Sequence, residues 1–355
     1  MRWDVFCKVI DNHGDLGVCW RLACDLAARG EQARLWIDDA SALAWMAPRG
    51  REGVEVIDWS NPEAVGEAVA RAAPDILVEA FGCDPEPALL ARFADAHRDA
   101  STGVWINLEY LSAEPYVERL HGLPSPVFKG PGAGRPKYFF YPGFTDRTGG
   151  LLREPGLPGQ RAAFDRTPWL AARGIPLGDE RLVSLFCYEP PALESLLHRL
   201  REGSRPTRLL VTAGRATAAL PPGTPEVGAL KITWLPYLSQ VDYDHLLWSC
   251  DLNFVRGEDS WVRAFWAGAP FVWQIYPQDD DAHHVKLEAF MDWMRPPVEW
   301  RRAHRVWNGM QAGEMPALDE ATLDHATRAT RDARQDLLGQ QDLTSRLMQF
   351  VRQKQ

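Results

Sequence analysis

No stretch of the chain approaches the roughly 20 consecutive apolar residues that a membrane-spanning helix requires. The N-terminus lacks a basic segment followed by a long apolar run, so no signal peptide is expected. Cysteine is scarce. The six thiols, Cys7, Cys19, Cys24, Cys83, Cys187 and Cys250, form no C-x-x-C pair and mostly sit in apolar runs. That pattern reads as buried thiols in a reducing compartment rather than a disulfide framework. Together these absences predict a cytoplasmic protein. An excess of positive charge is missing too. The formal net charge is −9, which argues against a broad nucleic-acid or anionic-membrane surface but leaves room for a local basic groove.

Several catalytic signatures are absent. There is no G-x-G-x-x-G fingerprint, no H-E-x-x-H motif and no G-x-S-x-G nucleophile elbow. His283 and His284 are adjacent, and adjacent residues do not share a helix face, so the histidines predict no metal set. The acidic run Asp279-Asp280-Asp281 reads as the cap of a helix beginning near Asp281. No internal repeat or low-complexity tract is present.

What remains is a globular composition, 46% apolar and 25% charged, in a 355-residue chain long enough for two domains. Tryptophan is abundant at fifteen residues. Several (Trp105, Trp234, Trp261, Trp266, Trp273) fall in strand-like or helix-like runs and read as core. Strands and helices alternate. Strands are expected at 3–10, 33–37, 54–57, 75–81 and 103–108, with helices at 16–29 and 87–97 and a helix capped by Asn61. Residues 122–159 are dense in Pro and Gly. A second alternating set follows, with strands near 182–187, 208–212, 231–235, 252–255 and 271–275. Helices are expected at 191–201, 243–249, 259–267 and 281–294. At the C-terminus Leu343, Leu347, Phe350 and Val351 form one helix face behind Asp342 as N-cap.

This alternation predicts an α/β fold with parallel, doubly wound sheets. The expected domains are 1–165 and 166–335, with 336–355 packing back on the first. Two Rossmann-like domains without a dinucleotide fingerprint suggest the GT-B architecture of many nucleotide-sugar glycosyltransferases, in which a central cleft holds the ligands.

Two runs carry the candidate chemistry. In the first, Phe6-Cys7-Lys8-Val9-Ile10-Asp11-Asn12-His13-Gly14-Asp15-Leu16-Gly17, a strand enters a turn bearing two carboxylates and two glycines. A phosphate would be repelled there, whereas a proton would find an acceptor. Asp15 is equally the natural N-cap of the helix that follows. In the second, Asn253 to Pro270, a strand, a turn and a helix precede Gly268-Ala269-Pro270. Asp259 or Ser260 can cap this helix, whose N-terminus suits a diphosphate with Arg256 adding charge. Glu258 can accept hydrogen bonds from sugar hydroxyls. Phe186, Tyr188, Tyr237, Gln240 and Tyr243 follow strands and suit a pyrimidine base, although aromatics there also simply pack.

These runs, with Asn107-Leu108-Glu109-Tyr110-Leu111-Ser112-Ala113-Glu114, Pro142-Gly143-Phe144-Thr145, Gly149-Gly150-Leu151 and Ile275-Tyr276-Pro277-Gln278, resemble the bacterial elongation factor P arginine rhamnosyltransferases. They span most of the chain in the family's order. The resemblance implies an inverting enzyme that moves L-rhamnose from dTDP-β-L-rhamnose to one arginine of elongation factor P, supporting translation of proline stalls, with no metal cofactor. It implies Asp15 as catalytic base with Asp11 in support and Glu258 as a further catalytic residue, and Asn12 and Gly14 as substrate-binding residues in the turn of Asp15. It matches Phe186, Tyr188, Tyr237, Gln240 and Tyr243 to the thymine and ribose of the donor. Arg256, Glu258, Asp259, Ser260 and Tyr276 match the diphosphate and sugar. Tyr237 and Tyr243 replace expected phenylalanines, His13 is a variable position, and Arg263 stands where many two-domain glycosyltransferases carry an acid. The alternatives are a glycosyltransferase with a glycan or lipid acceptor, and a non-catalytic nucleotide-sugar binding protein.

Overall fold

The computed structural model describes residues 1–9, 13–98, 103–176, 178–278 and 281–355. They divide into two compact units, Met1–Pro155 with Gln340–Gln355, and Gly156–Gly339. The expected boundary near residue 165 differs from this division because the preceding residues already make second-unit contacts. Arg161 Nε donates to the Ala267 carbonyl at 3.1 Å, and the Phe164 ring stacks on His245 at 4.7 Å.

The first unit is built on β1 (Arg2–Cys7), β2 (Gln32–Ile37), β3 (Val54–Asp58), β4 (Ile76–Ala80), β5 (Val104–Leu108), β6 (Pro124–Pro126) and β7 (Pro136–Phe140). The sheet order is β3-β2-β1-β4-β5-β7-β6, parallel apart from the β6–β7 pair. β4 and β5 are buried throughout, as strands covered on both faces must be, and read accordingly as apolar runs. β6 and β7 lie inside the Pro/Gly-dense segment, for which no strand was expected. Proline is tolerated there because β6 is an edge strand. The C-terminal helix Leu343–Lys354 belongs to this unit. Asp342 accepts a hydrogen bond from the Ser345 N–H at 2.8 Å, and Leu343, Leu347, Met348 and Val351 join the core that holds Leu22 and Leu26.

The second unit holds β8 (Arg181–Leu185), β9 (Thr207–Val211), β10 (Leu230–Trp234), β11 (Leu252–Arg256) and β12 (Phe271–Gln274). All are parallel, in the order β10-β9-β8-β11-β12. Trp261, Trp266 and Trp273 are buried here, and Trp105 is buried in the first unit. The long helix Glu320–Leu338 escapes the sequence reading because its buried stripe is mostly small or polar: Leu323, Ala326, Thr330, Ala333 and Leu337. Among the described residues no helix is long and apolar enough to cross a membrane.

Each sheet reverses its winding once, between β1 and β4 and between β8 and β11. Ligands of open α/β sheets bind outside the strand carboxyl ends at such points. Both carboxylate-bearing runs leave strands that flank these two positions.

One buried group makes the second unit acid-sensitive. His304 is fully buried, its Nδ1 faces the Trp300 carbonyl at 3.0 Å, and burial pushes its pKa down to about 4. The unfolded histidine, with its pKa near 6.5, binds a proton first. This contribution to stability is therefore present at neutral pH and lost as pH falls from about 6.5 towards about 4. Urea unfolding should show the second unit weakening by about 2 kcal/mol between neutrality and roughly pH 5, and His304→Gln should flatten that dependence.

Candidate active site

In the first unit the turn after β1 enters the helix Gly14–Ala28. Asp11 and Asn12 lie outside the described residues. Gly14 opens the helix, and His13 occupies the N-cap position without a side-chain hydrogen bond to the helix. Asp15 is therefore a first-turn residue, one step inside the helix, and not the N-cap. The helix starts two residues earlier than the apolar periodicity from Leu16 indicated. Asp15 is 4% exposed and sits where the positive end of the helix dipole favours negative charge.

Sequence reasoning quoted Tyr110 within a motif but gave it no role. The structure brings it to Asp15: the hydroxyl donates to Asp15 Oδ1 at 3.4 Å. Tyr110 follows β5, and its ring stacks on Phe81 at 4.4 Å. Phe81 follows β4 in the left-handed region at φ 60, with its N–H bonded to the Leu108 carbonyl at 2.8 Å. A bulky residue held in that conformation marks a backbone that its surroundings over-determine. The ends of β4 and β5 thus present the tyrosine to the acid behind β1. Tyr110→Phe removes one hydrogen bond to the Asp15 carboxylate, and kcat should fall by about tenfold with the nucleotide-sugar KM unchanged. Steady-state kinetics checks this.

In the second unit the centre is Arg256, the last residue of β11, 9% exposed. Its guanidinium lies 4.4 Å from the Phe186 ring centroid and 4.6 Å from that of Tyr188, and Nη1 donates to the Cys187 carbonyl at 3.3 Å. Tyr188 is buried, accepts no role as an open stacking face, and ties its N–H to Gln274 Oε1 at 2.8 Å. Tyr243 is half-buried, with its ring 5.4 Å from that of Phe186 and its hydroxyl buried, and this burial pushes its phenol well above the ordinary value, so it stays neutral. Tyr188 thus packs under Arg256, and Tyr243 edge-on against Phe186. The exposed aromatic candidates are Tyr237 and Tyr276, the latter packed edge-on to Tyr188 at 5.7 Å. Gln240 opens the helix Gln240–Ser249 behind the Ser239 cap and is buried. Arg215, which sequence reasoning missed, lies over the Tyr188 ring at 4.8 Å and pairs with Glu189.

The helix Glu258–Ala267 carries no side-chain cap, contrary to the roles offered to Asp259 and Ser260. Gly257 holds the N-cap position at φ 63, a conformation suited to glycine. Its carbonyl accepts from Trp273 Nε1 at 2.7 Å. Ser260 Oγ turns back on the chain, accepting from the Arg256 N–H at 3.2 Å and donating to the Arg256 carbonyl. Asp259 sits in the first turn, and Glu258 beside it is ion-paired with Lys286. Lys286 comes from the distant helix Ala282–Met294, so no local pattern revealed it. Arg263 makes a buried two-point pair with Asp244, at 2.9 and 2.7 Å.

The histidines depart from expectation. The His283 and His284 ring centroids are 4.1 Å apart, and with Asp281 they offer ligand atoms within 4.8 Å of one another. Both histidines lie in the first turn of the helix Ala282–Met294. Asp281 occupies the N-cap position at φ 57 but makes no side-chain cap bond, and His283 Nδ1 already accepts from the Gln278 N–H at 3.1 Å. Asp279 and Asp280 lie outside the described residues.

Two sheets of this order, each with its polar cluster at a switch point, define the GT-B class of glycosyltransferases. The solved structure of the spinosyn rhamnosyltransferase SpnG matches 99% of this chain and 99% of its own at TM-score 0.54, with 14% identity, and so shows the fold alone. The likeness goes further. A family model described as "Elongation-Factor P (EF-P) rhamnosyltransferase EarP" matches residues 3–352. A protein-arginine rhamnosyltransferase from Pseudomonas aeruginosa is 41% identical over 98% of both chains. A structure described as the structural basis for EarP-mediated arginine glycosylation of translation elongation factor EF-P matches at TM-score 0.65, with 31% identity over 99% of both chains. The chain belongs to the EarP family and is a glycosyltransferase.

Proposed function

We propose that this protein transfers L-rhamnose from dTDP-β-L-rhamnose to an arginine of elongation factor P, with inversion, and so supports translation of proline stalls. The observation that carries the reading is the buried Asp15 in the first helical turn behind β1, in a chain whose relatives are named protein-arginine rhamnosyltransferases over their whole length. An arginine guanidinium stays protonated at neutral pH, with a pKa above about 12, and is a poor nucleophile until its charge is offset. Asp11 pairs with it as an orienting partner. Asp15 takes the N–H proton as the new bond forms. The C1–O bond to the diphosphate breaks while the C1–N bond forms on the opposite face, so no covalent enzyme intermediate is needed.

The donor belongs to the second unit. Arg256 and the N-terminus of the helix at Glu258 offset the charge gathering on the departing dTDP, and no metal enters the reading. Asp259, Ser260 and Tyr276 line the diphosphate and sugar. Glu258, steadied by Lys286, accepts from sugar hydroxyls. Phe186, Tyr237 and Gln240 face the thymidine, with Tyr188 and Tyr243 behind them. Asn12 and Gly14 shape the acceptor turn. The partners are elongation factor P and the nucleotide sugar, with neither nucleic acid nor membrane, in the cytoplasm.

Incubation with dTDP-rhamnose and elongation factor P should add the mass of one deoxyhexose to that protein. No mass shift with active donor and competent acceptor would overturn the reading. Arg256→Lys keeps the charge but loses the planar group that stacks on Phe186 and Tyr188. Calorimetric titration with dTDP should show about tenfold weaker binding, the size expected for a desolvated cation–π pair.

A further inference from the structure

The second unit contains a cavity of about 750 Å³ on the edge of its sheet opposite to the donor residues. Arg181 starts β8, and Asp251 and Pro270 immediately precede β11 and β12, so the cavity opens at the strand amino ends. Arg256 and Tyr276 lie at or beyond the carboxyl ends of the same strands. The cavity belongs to no part of the transfer site described above.

Its walls are rich in arginine, in a protein with a net charge of −9. At one end the charges are balanced. Arg166 pairs with Asp251 at 3.4 Å, and Arg181 is buried, donates to the Leu318 carbonyl at 2.6 Å and has Asp251 and Glu320 nearby. The other end is different. Arg331 and Arg334 stand one helical turn apart on Glu320–Leu338, facing Arg161. Burial first, and then the neighbouring guanidiniums, hold Arg161 and Arg334 below the ordinary arginine value, and among the described residues no carboxylate offsets either. Arg334 Nε is buried with no hydrogen-bond partner among the described residues, while the rest of the side chain runs over Gly268. Arg161 Nε donates to the Ala267 carbonyl at the C-terminus of the helix Glu258–Ala267. A helix end supplies only about half a negative charge, against three guanidiniums. The cluster retains a surplus of positive charge in a partly desolvated wall, where an anion would relieve the mutual repulsion.

We propose that Arg161, Arg331 and Arg334 form a second anion site that binds a phosphate-bearing small molecule, separate from the nucleotide-sugar site. The volume fits a ligand of that size. The planar guanidiniums suit the paired oxygens of a phosphate.

The test is calorimetric titration of the full chain with inorganic pyrophosphate, repeated in an Arg256→Gln background that weakens anion binding at the donor side. Pyrophosphate should still bind the Arg256→Gln protein. Adding Arg331→Gln and Arg334→Gln should weaken that binding by about tenfold or more, the scale of losing charge-assisted paired contacts. The single exposed variant Arg331→Gln should weaken it in the same direction with an unchanged circular dichroism spectrum, which separates loss of the site from loss of the fold. Equal affinity with and without the pocket substitutions would overturn the proposal. So would the absence of pyrophosphate binding in the Arg256→Gln background.

Discussion

Asp15→Asn should reduce rhamnosyl transfer by roughly 10²–10⁴-fold in kcat, the range for removing a positioned general base, while dTDP binds as in the parent. The substitution is close to isosteric. An amide oxygen still accepts from the Tyr110 hydroxyl, so the packing of Tyr110 on Phe81 has no reason to change. What is lost is the negative charge and the ability to take a proton. Asp15 belongs to the first unit, whereas the residues assigned to dTDP belong to the second, so kcat and nucleotide affinity should separate. Single-turnover transfer to elongation factor P, beside calorimetric titration with dTDP, gives both quantities. Full turnover by the variant would remove Asp15 from the chemistry. A parallel loss of dTDP binding would make its role structural.

Arg263→Glu should be severely destabilising. Arg263 and Asp244 are 2% and 6% exposed and meet through two hydrogen bonds. Breaking a buried pair by removing one partner typically costs about 3–5 kcal/mol, because the other charge is left uncompensated. Glutamate adds a second buried carboxylate to the first. The second unit should lose stability by at least that amount, a fall of roughly 10 °C in Tm for a domain of this size. Asp244 lies on Gln240–Ser249 and Arg263 on Glu258–Ala267. These helices carry Gln240, Tyr243, Asp259 and Ser260, so donor binding should weaken with the fold. The double variant Asp244→Leu with Arg263→Met, which removes both charges, should recover most of the loss. Thermal unfolding by circular dichroism decides the matter: an unchanged Tm in Arg263→Glu would show that the pair contributes nothing.

Much of this protein was legible in the chain itself. The βα alternation, the Asn61 and Asp342 caps and the apolar face of the C-terminal helix are local signals, carried by residues a few positions apart. The paired runs at Asp15 and Arg256 are local as well, since a strand, a turn and a helix start are contiguous in sequence. Short-range physics determines such features: periodicity selects helix or strand, and a strand-to-helix turn must lie at a sheet edge. The reading was weaker where the local signal was faint. The helix Glu320–Leu338 buries mostly small and polar side chains, and β6 and β7 sit among prolines.

Tertiary structure decided which residue meets which. Tyr110 reaches Asp15 across 95 positions, and Lys286 reaches Glu258 across 28. It placed Tyr188 in the interior beneath Arg256, and it converted Ser260 from a helix cap into a clasp on Arg256. It also brought Arg161 to Arg331 and Arg334 of a distant helix in one wall. The pairs Tyr110–Asp15 and Lys286–Glu258, and the meeting of Arg161 with Arg331 and Arg334, have no spacing that a sequence displays. Each depends on how strands order themselves in a sheet and how helices cover it, and those arrangements are set by packing of the whole unit rather than by any neighbouring residue.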